Sequence, residues 1–278
     1  FVQRPEDILE ARAIIKDRAP ILTKLEKPTA IQHLVELVKL SDAIMVARGD
    51  LGVEMPPEQV PTIQKQIIKT CRAMGKPVVV ATQMLDSMVH APTPTRAEAS
   101  DVATAVYDSA DAVMLSAESA VGSYATQSVA MMSRIITQVE QDSTYLSIMN
   151  NSHGAPNPTV QDAITLAARQ IAETIGAKCI VTYTASGSTT LRASRERPNV
   201  PVICITSALK TARRMALAWG VHPYHVQEVE RFSDVVGQAT EVAQQEGFAQ
   251  EGDMVAIAAG VPMGQTGSTN VVRVELIT

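Results

Sequence analysis

Aromatic residues are nearly missing from this chain. Phe, Trp and Tyr together make up 3% of its 278 residues, with a single Trp. Surfaces that stack bases or sugars are built from such rings, so this composition argues against them. A net charge of -5 argues against a nucleic-acid partner and leaves only a local basic patch as an exception. Cysteine is sparse as well. Cys71, Cys179 and Cys204 lie far apart, are odd in number and form no CxxC. That reads as three reduced, mostly buried thiols of a cytoplasmic protein. No apolar run nears the roughly 18 residues of a membrane span, and no signal peptide is recognisable, so no membrane role is expected. An initiator Met is also lacking. Phe1-Val2 reads as the tail of a strand, and the expectation is a sequence incomplete at its N-terminus.

What is present is apolar bulk. Hydrophobic residues reach 46% against 19% charged, enough for a folded core in one large or two ordinary domains. The most informative stretch is Ala43 to Gly52, AIMVARGDLG. Its first half is a short apolar run, as in a strand buried on both faces of a parallel sheet. Arg48, Gly49 and Asp50 then place a cation, a flexible backbone point and a carboxylate where the strand should end, which in βα proteins is where ligands bind. A glycine there lets the backbone approach an anion closely. By itself the stretch reads first as a tight turn with a capping Asp.

The surroundings repeat the pattern. Helices are expected over Pro5–Ile15, Thr29–Leu40, Glu58–Met74, Glu98–Tyr107 and Ser123–Gln141. Between them lie strands at Ile21–Glu26, Ala43–Ala47, Pro77–Ala81 and Ala112–Leu115. Each strand ends in polar groups: Lys24 and Glu26, Arg48 and Asp50, Thr82, then Ser116. Lys24 and Glu26 are two apart, which on a strand puts both on one face. They are either an exposed pair or a costly arrangement kept for a purpose. Four polar strand ends on one rim are the mark of the C-terminal face of a (β/α) barrel, but a closed barrel needs eight strands and about 250 residues. Residues 1–145 therefore read as the second half of a (β/α)8 TIM-type barrel, 146–158 as a linker rich in Asn, Pro, Ser and Gly, and 159–278 as a separate α/β open-sheet domain. His153, in the linker, reads as an exposed loop histidine, with no second ligand at metal spacing.

The second domain should carry helices at Val160–Ile175, Ala208–Trp219 and Phe232–Glu246. Its strands are expected at Cys179–Tyr183, Val202–Ile205, Met254–Ala258 and Val271–Ile277, with a short one at Val226. The loop Thr184 to Thr190, rich in hydroxyls with one Gly before a helix, is either a phosphate cradle or a plain hydroxyl cap. Arg192, Arg195, Arg197, Arg213 and Arg214 could neutralise a phosphorylated ligand or form a solvated face or subunit contact.

Five stretches in order are specific where each alone is not: Lys24-Leu25-Glu26, Ala43 to Gly52, Ala81-Thr82-Gln83-Met84-Leu85, Pro94-Thr95-Arg96-Ala97-Glu98 and Met114-Leu115-Ser116-Ala117-Glu118. Together they closely resemble the pyruvate kinase family, and the resemblance runs over the whole chain. It implies phosphoryl transfer from phosphoenolpyruvate to ADP, giving pyruvate and ATP. Lys24 would stabilise the transferring phosphoryl group, and Glu26 and Asp50 would hold Mg2+. The amides of Gly49 and Asp50, with Thr82, would bind the substrate carboxylate, and Ser116 would join the proton relay to the enolate. Thr184, Ser186, Gly187, Ser188 and Thr189, with the loop bearing Gly264 and Gly267, would bind a phosphorylated allosteric effector. The resemblance further implies a homotetramer, with Arg96 near a subunit interface.

Two departures stand out. Where the family usually has Ser-Gly-Glu-Thr-Ala-Lys-Gly, this chain has Ser116 to Gly122 with Val121 at the lysine position. The strands that in the family carry the K+ ligands, and the mobile lid inserted near them, have no counterpart here. The chain alone is accordingly expected to bind substrate poorly and turn over little. The competing readings are a metal-dependent lyase or aldolase acting on pyruvate or phosphoenolpyruvate, and a non-catalytic protein that binds an effector.

Overall fold

The computed structural model describes residues 1–152, 157–263, 265 and 267–278, the side chain of Asp17 excepted. His153 and Gly264, both singled out from the sequence, lie outside the described residues. Two compact units divide the chain, Phe1–Ser152 and His153–Thr278.

In the first unit, helices and strands alternate: α1 (Pro5–Ile15), β1 (Leu22–Leu25), α2 (Pro28–Gln32), α3 (Leu34–Leu40), β2 (Ala43–Ala47), α4 (Arg48–Glu54), α5 (Val60–Ala73), β3 (Val78–Ala81), α6 (Arg96–Tyr107), β4 (Ala112–Met114), α7 (Ala117–Ala120), α8 (Ala125–Glu140) and α9 (Ser143–Asn151). The four strands pair in chain order, all parallel, so their C-terminal ends share one rim. Val78–Ala81 is buried along its whole length, as a strand covered on both faces must be. On α5 the buried residues are Gln64, Ile67, Ile68 and Cys71, a stripe at three- and four-residue steps that faces the sheet. Thr95 caps α6 reciprocally with Glu98, which also accepts from the Ser87 amide and hydroxyl. Burial works against the charged form of Glu98, yet the hydrogen bonds from Ser87 and Thr95 outweigh it and hold its pKa below the usual value.

Some elements differ from expectation. The helix expected over Thr29–Leu40 breaks at His33 (φ -104, ψ 18), giving α2 and α3. The break lets Ala30 on one piece and Leu34, Leu37 and Val38 on the other all reach the core. Helix α9 runs through Asn151, so the segment expected as linker from 146 begins inside a helix.

The second unit contains α10 (Val160–Ile175), β5 (Ile180–Tyr183), α11 (Ser188–Arg195), β6 (Val202–Thr206), α12 (Leu209–Met215), β7 (Val221–His225), α13 (Phe232–Gln245), β8 (Met254–Gly260) and β9 (Thr269–Leu276). Its sheet runs β7-β6-β5-β8-β9, parallel except for the β8–β9 hairpin. Both faces are covered. Val181, Ile203 and Ile257 pack with Val235 and Ala239 of α13, while Ile180, Ala256 and Ala258 pack with Ala168 and Ala172 of α10. The second face is mostly alanine, which brings α10 close to the sheet. Helix α10 ends at Gly176, whose φ of +66 is the left-handed cap that glycine adopts freely. The short strand expected at Val226 is instead Val221–His225, an edge strand whose Pro223 has no N–H to offer a further strand. Cys71, Cys179 and Cys204 are all buried thiols, and burial raises the pKa of each. Among the described residues no helix is long and apolar enough to cross a membrane.

Candidate active site

The rim of the first sheet gathers the charged residues flagged in the sequence. Lys24 on β1 points its ammonium at two carboxylates: Glu26 Oε2 at 2.6 Å and Asp50 Oδ2 at 2.7 Å. Glu26 follows β1 directly, so the two-residue spacing puts it beside Lys24. Asp50 comes from the first turn of α4, after the neighbouring strand β2. Glu26 is buried, whereas Lys24 and Asp50 are half exposed, with side chains 45% and 50% accessible. Hydrogen bonds to Asp50 and then Glu26 lift the Lys24 pKa above the usual lysine value, so it remains an ammonium. The hydrogen bond from Lys24 is the largest cause that holds the Glu26 pKa below the usual carboxylate value. Because Lys24 and Asp50 face water, their pairing adds little stability, and its importance lies in placing a cation beside an open rim.

Both carboxylates therefore converge on a single cation position. Among the described residues no group of three or more His, Cys, Asp or Glu forms a metal cluster. Two carboxylates nonetheless fit a small, hard divalent cation that takes its other oxygens from water and substrate.

Beside this cluster, the end of β3 makes an unusual turn. Thr82 and Gln83 both have positive φ, +71 and +53. Neither is glycine, and for β-branched Thr82 the conformation costs about 1–3 kcal/mol. The Thr82 hydroxyl accepts from the Gly49 amide at 2.8 Å and donates to the Ala81 carbonyl at 2.6 Å. A Cβ on Gly49 would lie 3.4 Å from Thr82 Oγ1, ordinary van der Waals contact, so this hydrogen bond does not itself require a glycine. Arg48, noted from the sequence only as a nearby cation, binds Asp101 of α6 and the carbonyl of Thr82. Ser116 follows β4, the strand next to β3, and its amide donates to Glu118 Oε2 at 2.7 Å. The structure thus joins Lys24, Glu26 and Asp50 by ion pairs and Gly49 with Thr82 by a hydrogen bond, with Ser116 one strand further along the rim. Asp101 as the partner of Arg48, and Glu118 as the partner of the Leu85 amide, carry no sequence signal because those contacts join residues far apart in the chain.

In the second unit, the turn after β5 is tied internally. The Gly187 amide donates to Thr184 Oγ1 at 2.9 Å, Thr189 Oγ1 lies 2.6 Å from Thr269 Oγ1, and the Ser186 and Ser188 hydroxyls meet at 3.3 Å. Gly187 has φ +87, and a Cβ there would meet the Met215 side chain at 2.8 Å. A small cavity of about 50 Å³ opens beside this turn, with Gly267 and Glu228 also on its walls. The arginines have other partners. Arg192 and Arg195 bind buried Asp162, Arg195 also binds Glu196, Arg197 lies over Trp219, and Arg214 donates to the Ser186 carbonyl. That favours a structural reading of these four cations over a pooled anion site.

Comparison with known proteins gives the same family twice. Residues 1–129 match the pyruvate kinase barrel domain and residues 162–275 the pyruvate kinase alpha/beta domain. The pyruvate kinase of Methylorubrum extorquens is 52% identical over 278 residues, covering 100% of this chain and 58% of that protein. One from Agrobacterium vitis is 48% identical over 274 residues, 99% of this chain and 58% of its own length. One from Geobacillus stearothermophilus is 42% identical over 282 residues, 100% of this chain and 48% of its own. The chain thus spans about half the length of the relatives it matches. A half-barrel of βα units with a charged rim, an open-sheet domain behind it in sequence, and two matched domains of one family lead to one conclusion: the chain belongs to the pyruvate kinase family.

Proposed function

We propose that this chain carries part of the machinery for phosphoryl transfer from phosphoenolpyruvate to ADP. The observation that supports it most is the Lys24 ammonium held between Glu26 and Asp50 on an open rim. In this reading Lys24 turns from the carboxylates to the phosphoryl oxygens, and its raised pKa keeps it charged while negative charge spreads over the transferring group. Glu26 and Asp50 would hold Mg2+, which when bound would neutralise phosphate charge. The low pKa of Glu26 keeps it an ionised ligand at neutral pH. The Gly49 and Asp50 amides, with the Thr82 hydroxyl, would take the substrate carboxylate, and Ser116 would hold a proton for the enolate. The family's K+ is given no ligand in this chain. The Thr184–Thr189 turn and the loop through Gly267 would receive the phosphate of an effector, and assembly as a homotetramer belongs to the same reading.

The test is a coupled assay of pyruvate formation with Mg2+ and K+. It is run on the 278-residue chain and on the chain joined behind the N-terminal part of the Methylorubrum extorquens relative. The joined protein should turn over and the chain alone should turn over little. Lys24→Met should cost the joined protein about a thousandfold, the scale of a lost transition-state charge. A folded joined protein with no turnover, beside an active relative, would sink the proposal and favour a non-catalytic, effector-binding role.

A further inference from the structure

We propose that Arg48 is a positioning residue: anchored by Asp101, its guanidinium holds the left-handed Thr82–Gln83 turn and so sets the Thr82 hydroxyl against the Gly49 amide. The guanidinium is enclosed, with 11% of the side chain accessible, and each of its three nitrogens has a partner. One nitrogen meets Asp101 Oδ1 at 2.5 Å, a second meets the Thr82 carbonyl at 2.6 Å and Met84 Sδ at 2.7 Å, and Nε meets the Ala81 carbonyl at 3.3 Å. Ala81 and Thr82 are where β3 leaves the ladder, so their carbonyls need new donors. A planar fork can serve both and an anchoring carboxylate at once, whereas an ammonium cannot hold that geometry.

Two further observations make this more than packing. The turn is strained at two successive non-glycine residues, and such conformations persist only when their surroundings enforce them. The brace also lines a cleft of about 510 Å³ together with Gly49 and Gln83, so the turn has room to relax once released. The residue that braces the turn sits next to the amide the turn serves: Arg48 precedes Gly49, and Gly49 donates to Thr82. One change at Arg48 therefore moves both halves of the anion-binding corner. The consequence for substrate rests on the function proposed above; the brace does not.

Arg48→Lys, Asp101→Asn and Arg48→Lys with Gln83→Gly would be compared with the parent 278-residue chain. Backbone amide exchange and chemical shifts would be followed by NMR, with thermal melting alongside. In Arg48→Lys the Gly49 amide should exchange about tenfold faster or more, the scale of a lost charge-assisted hydrogen bond, with shifts centred on 81–84. Asp101→Asn should reproduce a weaker version. Adding Gln83→Gly should recover the melting temperature, because glycine tolerates the left-handed position, without restoring Gly49 protection. If Gly49 protection and the 81–84 shifts match the parent in both Arg48→Lys and Asp101→Asn, the proposal is wrong. Binding of phosphoenolpyruvate with Mg2+ separates the two claims. Should the turn move while the joined protein of the coupled assay binds no phosphoenolpyruvate with Mg2+, the brace stands and the functional reading falls.

Discussion

Glu118 offers the sharpest test of how the rim is held together. Its side chain is 2% exposed, and it spans the loops after two neighbouring strands. Oε1 accepts from the Leu85 amide at 3.0 Å and Oε2 from the Ser116 amide at 2.7 Å. Glu118→Gln keeps the shape but replaces one acceptor with an NH2 that must face a backbone N–H. One charge-assisted bond, worth about 1.5–3 kcal/mol, disappears, and the surviving bond weakens to a neutral one. The stranded amide adds about 1–3 kcal/mol where water cannot reach it. With allowance for overlap between these terms, the loss should be about 3–4 kcal/mol. Urea unfolding of the chain would be followed by far-UV circular dichroism. Fluorescence of Trp219, the single Trp, gives a reference in the second unit. Glu118→Ala should cost at least as much, since both amides lose their partner. A Glu118→Gln protein whose circular dichroism transition stays within about 0.5 kcal/mol of the parent, the range of an ordinary surface change, refutes the reasoning.

Other tests reach the rest of the chain. Burial opposes ionisation of Asp162, but the Asn157 hydrogen bond and the Arg195 and Arg192 contacts outweigh it and lower its pKa below the usual aspartate value. Its stabilising contribution is thus full above the unfolded value of about 3.9 and is lost as pH falls through the folded one. Asp162→Asn should therefore be less stable than the parent at neutral pH, and the gap in denaturation midpoints should close below that range. A gap of constant size would count against the network. Gly122→Ala would place a Cβ 2.5 Å from the Glu118 carbonyl oxygen, backbone that cannot swing aside, and should cost about 1–3 kcal/mol in thermal melting. Val121→Lys, at a site 79% exposed, should leave stability within about 0.5 kcal/mol. The same substitution should tighten ADP binding if the family's lysine contact matters, as the coupled assay would show.

The rim was legible because its signal is local. Buried apolar runs end in polar residues, and the i, i+2 spacing of Lys24 and Glu26 puts both on one face of the strand. What escaped depends on distant partners. Arg48 finds Asp101 from α6 and the carbonyls that end β3, and Glu118 binds backbone amides, which every residue except proline carries and no pattern marks. Likewise, nothing local pairs Arg192 with Asp162, which lies a helix and a strand earlier. The break at His33 reflects the need of Ala30 and Leu34 to reach one core from two directions, a demand of packing and not of helix propensity. Strand β7 was misplaced because its Val221–His225 residues are half exposed and interrupted by Pro223, which erases the alternation that marks a strand.

The two sheets also differ in when they can be completed. In the first, each strand bonds to the strand before it, so the sheet can grow as the chain leaves the ribosome, closing one short crossover at a time. In the second, β5 sits at the centre and waits on one side for β8, its register running from Ile180 to Ala256 across two strands and three helices. Until residue 254 has been synthesised, β5 presents an open ladder edge in a chain already rich in apolar surface. A stop between β5 and β8 should therefore yield an aggregating protein instead of a smaller folded one, and slow refolding should trace to this unit rather than to the half-barrel.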